Sequence, residues 1–200
     1  KDALENGDEA AIAGAYEDLI DAITNLEMKG NKAALKSMLE KAAAILKELH
    51  CPFVINQNRY SIFDRTVEKN GLKKTTGILK KGLITFSPLA QGQLTDRYLN
   101  GIPEDSRIRT DGRFLKESNL TPERLLQIRE LNDMAAGRGE KLSEMALGWL
   151  LAQQEVTSVL IGASRPQQIL DNIKAIHCAP FTEEELVRID EIAAEKIQPV

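Results

Sequence analysis

An α/β fold organised around a parallel sheet is what this 200-residue sequence predicts, on three observations. Residues 52–57 (PFVINQ) and 82–86 (GLITF) are short apolar strands separated by a helical stretch, the spacing of a right-handed βαβ unit. Residues 156–161 (VTSVLI) are a β-branched run that ends in the turn Gly162-Ala163 and delivers a helix near Ser164 and Pro166, good residues for a cap and a first turn. Elsewhere apolar residues recur at helical spacing, with legible starts and stops.

In chain order, residues 8–28 and 31–50 read as two amphipathic helices, with Asn6 or Asp8 and Asn31 as caps and Gly30 as the break. Their alanine-rich, acidic faces carry no chemistry and suit helices that pack or cover. After the first strand, residues 61–69 and 72–80 are helical pieces divided by Gly71. The second strand runs into SPLAQG and then a long polar loop, residues 96–119, carrying Arg97, Arg107, Arg109 and Arg113. Thr121-Pro122-Glu123 opens a helix that reaches about Gly137, with threonine as cap and proline as first residue. Residues 143–153 form another helix, whose broad apolar face holds Met145, Leu147, Trp149, Leu150 and Leu151. The capping box Thr182-Glu183-Glu184-Glu185 opens the last helix. The expected organisation is a helical segment, 1–50, packed against the three-stranded sheet of an α/β portion, 51–200.

With 42% hydrophobic and 28% charged residues, the composition is that of an ordinary globular protein. A net charge of -4 argues against nucleic acid as the main partner, so any anion site must be local. There is no apolar run of membrane-spanning length and no signal-peptide pattern at residues 1–6, which gives the expectation of a cytoplasmic protein with no membrane partner. Cys51 and Cys178 lie far apart with no CxxC or Cys/His cluster, so buried or half-buried free thiols are expected rather than a metal site.

The stretch 156–172 is the one place where chemistry is legible from the residues alone. A strand that ends in a small-residue turn and presents a helix N-terminus offers unpaired N–H groups and the positive end of a dipole to an anion. Arg165 adds a guanidinium that can fork onto a phosphate, and Gln168, Asp171 and Asn172 follow on the next turn. An ordinary strand-to-helix connection with a surface arginine fits the same spacing.

Three motifs in order, PFVINQNRYS, ITFSPLAQGQLTDRYLNGIPEDSR and VTSVLIGASRPQQILDNIKAI, make residues from about 39 to 194 resemble the C-terminal half of an aldo-keto reductase. The branch is the one that includes bacterial carbonyl and glyceraldehyde-phosphate reductases and potassium-channel beta subunits. The resemblance implies part of a (β/α)8 (TIM) barrel, with NADPH bound across the carboxyl ends of its strands. It further implies that Gln57 holds the nicotinamide carboxamide and that Phe86 stacks on the nicotinamide. Ser87, Leu89, Gln91 and Gly92 then wrap the diphosphate, and Arg107 belongs to a belt over the cofactor. Ser164 and Arg165 fall at the 2′-phosphate, and Gln168, Asp171 and Asn172 at the adenosine end, with Gly162 also among the cofactor-binding residues. The family's catalytic aspartate, tyrosine, lysine and histidine lie on its first four strands, and none of them has a counterpart here. His50, His177, Tyr16, Tyr60 and Tyr98 all stand at non-matching positions, the fifth-strand Ser-Asn pair is missing, and KKTTGILKK is shorter and more basic than the family's helix.

The wording AYEDLIDAITNLEMKGNKAALKSMLEKA, within about the first forty-five residues, resembles the helical FIVAR modules of secreted Gram-positive surface proteins. The combined expectation is a chimera: an NADP-binding half barrel with two added N-terminal helices. It takes a small-molecule carbonyl substrate only if a catalytic half is supplied, and a homo-oligomer covers its open sheet edges. A non-catalytic scaffold without cofactor is the alternative.

Overall fold

The computed structural model of the chain describes residues 41, 44–50, 55–110, 112 and 115–194, leaving out the Arg107 side chain. The expected helix over 8–28 and most of that over 31–50 lie outside the described residues, as does their packing on the sheet; residues 44–48 are helical. The described elements are β1 (Ile55–Arg59), α1 (Thr66–Lys69), α2 (Leu72–Ile78), β2 (Gly82–Phe86), α3 (Arg107–Thr110), α4 (Pro122–Gly137), α5 (Leu142–Leu151), β3 (Val156–Val159), α6 (Pro166–Ile173) and α7 (Glu183–Ala193). The strands form one parallel sheet in the order β1-β2-β3, so the α/β expectation holds.

Several expected boundaries are corrected. The first strand extends to Arg59, and the third stops at Val159 rather than 161. Residues 61–65 are loop rather than helix. Ser61 and Asp64 exchange backbone bonds of 3.1 and 3.2 Å, and the Ser61 hydroxyl accepts from the Asp64 N–H at 3.1 Å, a local alternative that competes with the helical ladder. The polar stretch 96–119 contains single turns at Asp96–Tyr98, α3 and Glu117–Asn119, closed by the side chains of Thr95, Ser106 and Asn119 accepting from backbone N–H groups. The helix expected over 143–153 starts one residue earlier, because Glu144 accepts from the Lys141 N–H at 2.9 Å.

Two compact units divide the chain, Lys1–Asn56 with Thr66–Leu83, and Gln57–Arg65 with Ile84–Val200. In the first, α1 and α2 meet at Gly71 (φ +83), and the Asn70 side chain accepts from the Leu72 N–H at 3.0 Å. In the second, α5 is buried on nearly every side, from Leu142 and Glu144 through Leu150, as its apolar composition requires. It packs on β3, α4, α6 and the 3-10 turn Lys174–His177. Trp149 receives the edge of Tyr60 (centroids 5.3 Å apart, planes at 66°), with the Arg65 guanidinium 4.1 Å from its ring centre.

Gly148 of α5 faces the Ala175 carbonyl of the 3-10 turn and Cys178 in the loop after it. A Cβ there would stand 2.9 Å from both Cβ and Sγ of Cys178. Cys178 is a half-buried free thiol pushed up to about 11 by burial, and its Sγ–H reaches the Glu144 carbonyl at 3.4 Å. Alanine is favoured over glycine inside a helix by ~1 kcal/mol, but forcing a methyl into a filled contact costs roughly 1–3 kcal/mol, and at this distance the second effect wins. Gly148→Ala should lower the urea midpoint, and adding Cys178→Gly, which removes both contacting atoms, should recover part of the loss. A higher midpoint for the single variant would refute the close approach.

At the far end of α4, Arg138 ties three segments together. It donates to Glu140 at 3.1 and 3.2 Å, to Glu185 at 2.6 Å and to the Ala179 carbonyl at 2.6 Å, with its guanidinium 4.2 Å from the centre of the Phe181 ring. Burial alone would raise the Glu185 carboxyl, but the Thr182 N–H and the Arg138 guanidinium outweigh it and hold the group below the ordinary glutamate value. A lowered carboxyl contributes stability above its unfolded pKa of about 4.3 and loses it as pH falls through the lower folded value. Arg138→Met should therefore cost roughly 2–3 kcal/mol at pH 7, with the gap to the parent narrowing below pH ~4. Denaturation at pH 7 and pH 3 measures both.

Candidate functional site

The carboxyl ends of β1 and β2 open into a cleft of about 320 Å³, the position where α/β folds build their sites. Arg59, the last residue of β1, lines it together with Ser61, Ser87, Gln91 and Arg124. The Arg59 guanidinium stands 5.7 Å from the centre of the Phe86 ring, and that of Arg124 stands 3.9 Å from the centre of Phe63. The β1/β2 register that brings them together continues past the strands, where the Tyr60 N–H donates to the Phe86 carbonyl at 3.3 Å.

The loop after β2 is held in unusual backbone. Ser87 (φ +52), Ala90 (φ +48) and Gln91 (φ +60) are all left-handed without being glycine, beside Gly92 at φ +91. Each such residue costs of order 1–3 kcal/mol, and such strain clusters at binding and catalytic sites. The Gln91 amide donates to the Ser87 hydroxyl at 3.1 Å, and the Thr95 hydroxyl donates to the Gly92 carbonyl at 2.7 Å. These bonds fix the loop over the cleft from within.

Of the residues expected to hold a cofactor, Ser87 and Gln91 therefore share the cleft, and Phe86 stands at its edge through Arg59. Leu89 and Gly92 belong to the same turn, half-buried. Gln57 lies two residues before Arg59 on β1 and is exposed like it. The backbone of Arg107 opens α3, but its side chain lies outside the described residues.

The second group gathers at the start of α6. The cap position is Arg165 rather than Ser164. The Gln168 side chain folds back, and its carbonyl accepts from the Ser164 N–H at 2.8 Å, the Ser164 hydroxyl at 3.2 Å and the Arg165 N–H at 3.2 Å. Arg165 faces Asp105 at 3.5 Å, and the other Asp105 oxygen faces Arg97 at 2.9 Å. Gly162 is exposed with open space around it. Asp171 is drawn down to about 2 by hydrogen bonds from Lys174, Lys141 and Gln167, while Asn172 is buried.

Sequence reasoning missed Arg59, Gln93, Asn119 and Arg124, all of which line the cleft. Arg59 had a signal, since the strand period of two puts it on the face of Gln57. Arg124 had another, standing in the first turn of a helix with a readable start. No group of three or more His, Cys, Asp or Glu among the described residues is placed to hold a metal ion.

Comparison with known proteins supplies the lineage. A profile described as the Aldo/keto reductase family matches residues 9–194. L-glyceraldehyde 3-phosphate reductase of Escherichia coli O157:H7 is 45% identical over 159 residues, which are 78% of this chain and 46% of that protein. A putative voltage-gated potassium channel subunit beta of Schizosaccharomyces pombe is 36% identical over 143 residues, 70% of this chain and 42% of that protein. A crystal structure of a thermostable aldo-keto reductase with the inhibitor epalrestat aligns with a TM-score of 0.49 at 22% identity, over 79% of this chain and 54% of that one. The chain thus spans about half the length of the curated relatives it matches. With the family profile running through both the cleft and the start of α6, the chain belongs to the aldo/keto reductase family.

Proposed function

We propose that this chain is the NADP-binding, C-terminal half of a (β/α)8 barrel, residues 51–200, joined to a separate helical segment, 1–50, in a rearranged or chimeric protein that does not reduce carbonyls alone. The observation that carries the cofactor reading is the strained loop from Ser87 to Gly92, held at the carboxyl end of β2 directly after Phe86. A backbone kept in three left-handed non-glycine conformations is consistent with a preorganised binding loop rather than a connection.

The donor set fits a dinucleotide. Gln57 presents an exposed amide, Phe86 a half-buried ring, and the 87–92 loop backbone and hydroxyl groups for a diphosphate. Arg165 and the N–H groups of Ser164 and Arg165 suit the 2′-phosphate once Gln168 and Asp105 yield, with Gly162 leaving room and Gln168, Asp171 and Asn172 at the adenosine end; Arg107 would serve the belt. When bound, the cofactor supplies the hydride for carbonyl reduction. Reduction also needs a proton donor at the developing alkoxide, and no residue of this chain matches the family's donor, so a carbonyl substrate is served only with a catalytic half supplied. The relative's printed name makes a phosphorylated aldehyde a reasonable substrate.

Exposed Leu160, Ile161, Ile169, Leu170 and Ile173 around β3 and α6 support further covering of the sheet's edges, by a second copy or by more barrel. A cytoplasmic location, with no nucleic-acid or membrane partner, belongs to the same proposal; no helix among the described residues is long and apolar enough to cross a membrane. One observation favours a second reading, a scaffold without cofactor: the α6 terminus is already satisfied by Gln168, and Arg165 by Asp105.

Two measurements test this. NADPH oxidation with nitrobenzaldehyde should not exceed a buffer blank, and turnover abolished by a point substitution in this chain would refute the inactive reading. In calorimetry, 2′-phospho-AMP should bind nearly as well as NADPH, and NADH much more weakly. Arg165→Ala should weaken the first two about tenfold or more. Equal binding of NADPH and NADH, or no binding at millimolar concentration, would leave the scaffold.

A further inference from the structure

We propose that Asn100 is a site of spontaneous deamidation, the Asn100-Gly101 pair closing to a succinimide that opens to aspartate and isoaspartate. The proposal rests on the chemistry and geometry of this loop and does not depend on the cofactor reading.

The reaction needs only the chain and water. The Gly101 nitrogen gives up its proton to solvent base and attacks the Asn100 Cγ. The new N–Cγ bond forms as the Cγ–Nδ2 bond breaks, and Nδ2 takes up a proton and leaves as ammonia. Water then opens the ring. Cleavage of the bond from nitrogen to Cγ gives aspartate, and cleavage of the bond to the backbone carbonyl carbon gives isoaspartate, so the balance is one water in and one ammonia out. Glycine permits this closure most easily, because it has no Cβ to crowd the attacking nitrogen and its backbone turns freely into the conformation required.

The sequence holds three Asn-Gly pairs, of which Asn70-Gly71 and Asn100-Gly101 are described, and these two are held very differently. Ring closure requires a carboxamide free to turn and a glycine N–H free to be lost. At the half-buried Asn70-Gly71 neither is free. The Asn70 side chain accepts from the Leu72 N–H at 3.0 Å, and the Gly71 N–H donates to the Glu68 carbonyl at 3.1 Å. The Gly71 carbonyl is held as well, accepting from both the N–H and the hydroxyl of Thr75 at 3.0 Å.

At Asn100-Gly101 both residues are exposed, and the Asn100 side chain makes no hydrogen bond among the described residues. Gly101 stands at φ +111 with open space where a Cβ would be. Its N–H lies 3.5 Å from the Tyr98 carbonyl, beyond the usual length of such a bond. The ends of the loop are tied, since Arg97 donates to the Asp105 carbonyl at 2.8 Å and pairs with the Asp105 carboxylate at 2.9 Å. The tip between them is the part left unheld, as is usual for exposed loop tips. Deamidation there takes the net charge of -4 one unit further negative, and isoaspartate adds one carbon to the main chain inside the Arg97–Asp105 tie.

The test is incubation of the folded full chain in mildly alkaline buffer, followed by tryptic digestion and mass spectrometry of the peptide 98–107, which lies between Arg97 and Arg107. That peptide should exchange one NH for an oxygen and split into two chromatographic products, one of them a substrate for an isoaspartyl methyltransferase. Asn70 in the same sample should convert roughly tenfold more slowly or less, because two hydrogen bonds must open first. In guanidinium chloride, where those bonds are gone, the two rates should converge. Asn100→Gln, at an exposed position where folding is not at stake, should remove both products, since glutamine has to close a larger ring. Three results would overturn the proposal: a peptide 98–107 that stays intact in the folded chain while it converts in guanidinium chloride, Asn70 converting as fast as Asn100 in the folded chain, or products that persist in Asn100→Gln.

Discussion

The burial of one indole holds the second unit together. Trp149 lies in the last turn of α5 with 2% of its surface exposed, and it is contacted by Tyr60, which directly follows Arg59, and by Arg65 at the end of the same loop. Arg65 in turn donates to the Ile62 carbonyl at 3.1 Å and to Asp190 of α7 at 2.8 Å. The cation-aromatic and edge-to-face terms are each worth only about 0.5–2 kcal/mol, small beside the ~3–5 kcal/mol at stake in removing a buried tryptophan side chain. Their value is directional. They set where the chain leaves β1, and that exit is what places Arg59 at the mouth of the cleft.

How much of this was legible in the sequence depended on whether the signal was local. The second strand was read to the residue, and the start of α4 at Thr121-Pro122 was also found, because period and cap chemistry sit within a few residues. The helix expected over 61–69 forms only over Thr66–Lys69, for a reason of the same range: Ser61 and Asp64 bond each other's backbone, and apolar spacing does not report that competition. The cleft was half legible. Ser87 and Gln91 came from a motif, but Arg124 reaches the site from a helix more than thirty residues later, and only the packing of α4 could place it.

The two basic sites differ in a way that net charge conceals. At the start of α6, Gln168 accepts from three donors, and Asp105 sits between Arg97 and Arg165, so that a ligand would first have to displace neighbours. These groups are exposed, and displacement there costs little because water and salt already weaken the pairs. In the cleft, Arg59 stands over the Phe86 ring with no carboxylate partner among the described residues. An anion gains more from an arginine that is already positioned and unneutralised than from one that must exchange partners.

Burial along the strands links the site to the sheet. On β2, Leu83 and Thr85 are fully buried while Gly82, Ile84 and Phe86 are half-buried; on β1, Ile55, Gln57 and Arg59 are exposed. Side chains alternate faces along a strand, so each strand has one open row, and that row carries Gln57 and Arg59 on β1 and Phe86 on β2. Ile55, 40% exposed, shares it. The same exposure recurs at Leu170 (58%) and Ile176 (64%), in and just after α6. A row that is open, partly apolar and also bears Gln57 and Phe86, the side chains expected to meet a cofactor, suits the inner surface of a larger closed sheet, where apolar residues complete the core below and polar ones face a ligand above. Side-chain alternation alone sets Ile55, Gln57 and Arg59 on one face of β1, and a singly exposed isoleucine is ordinary on a folded surface, so it is the polar pair, not the isoleucine, that sets this row apart.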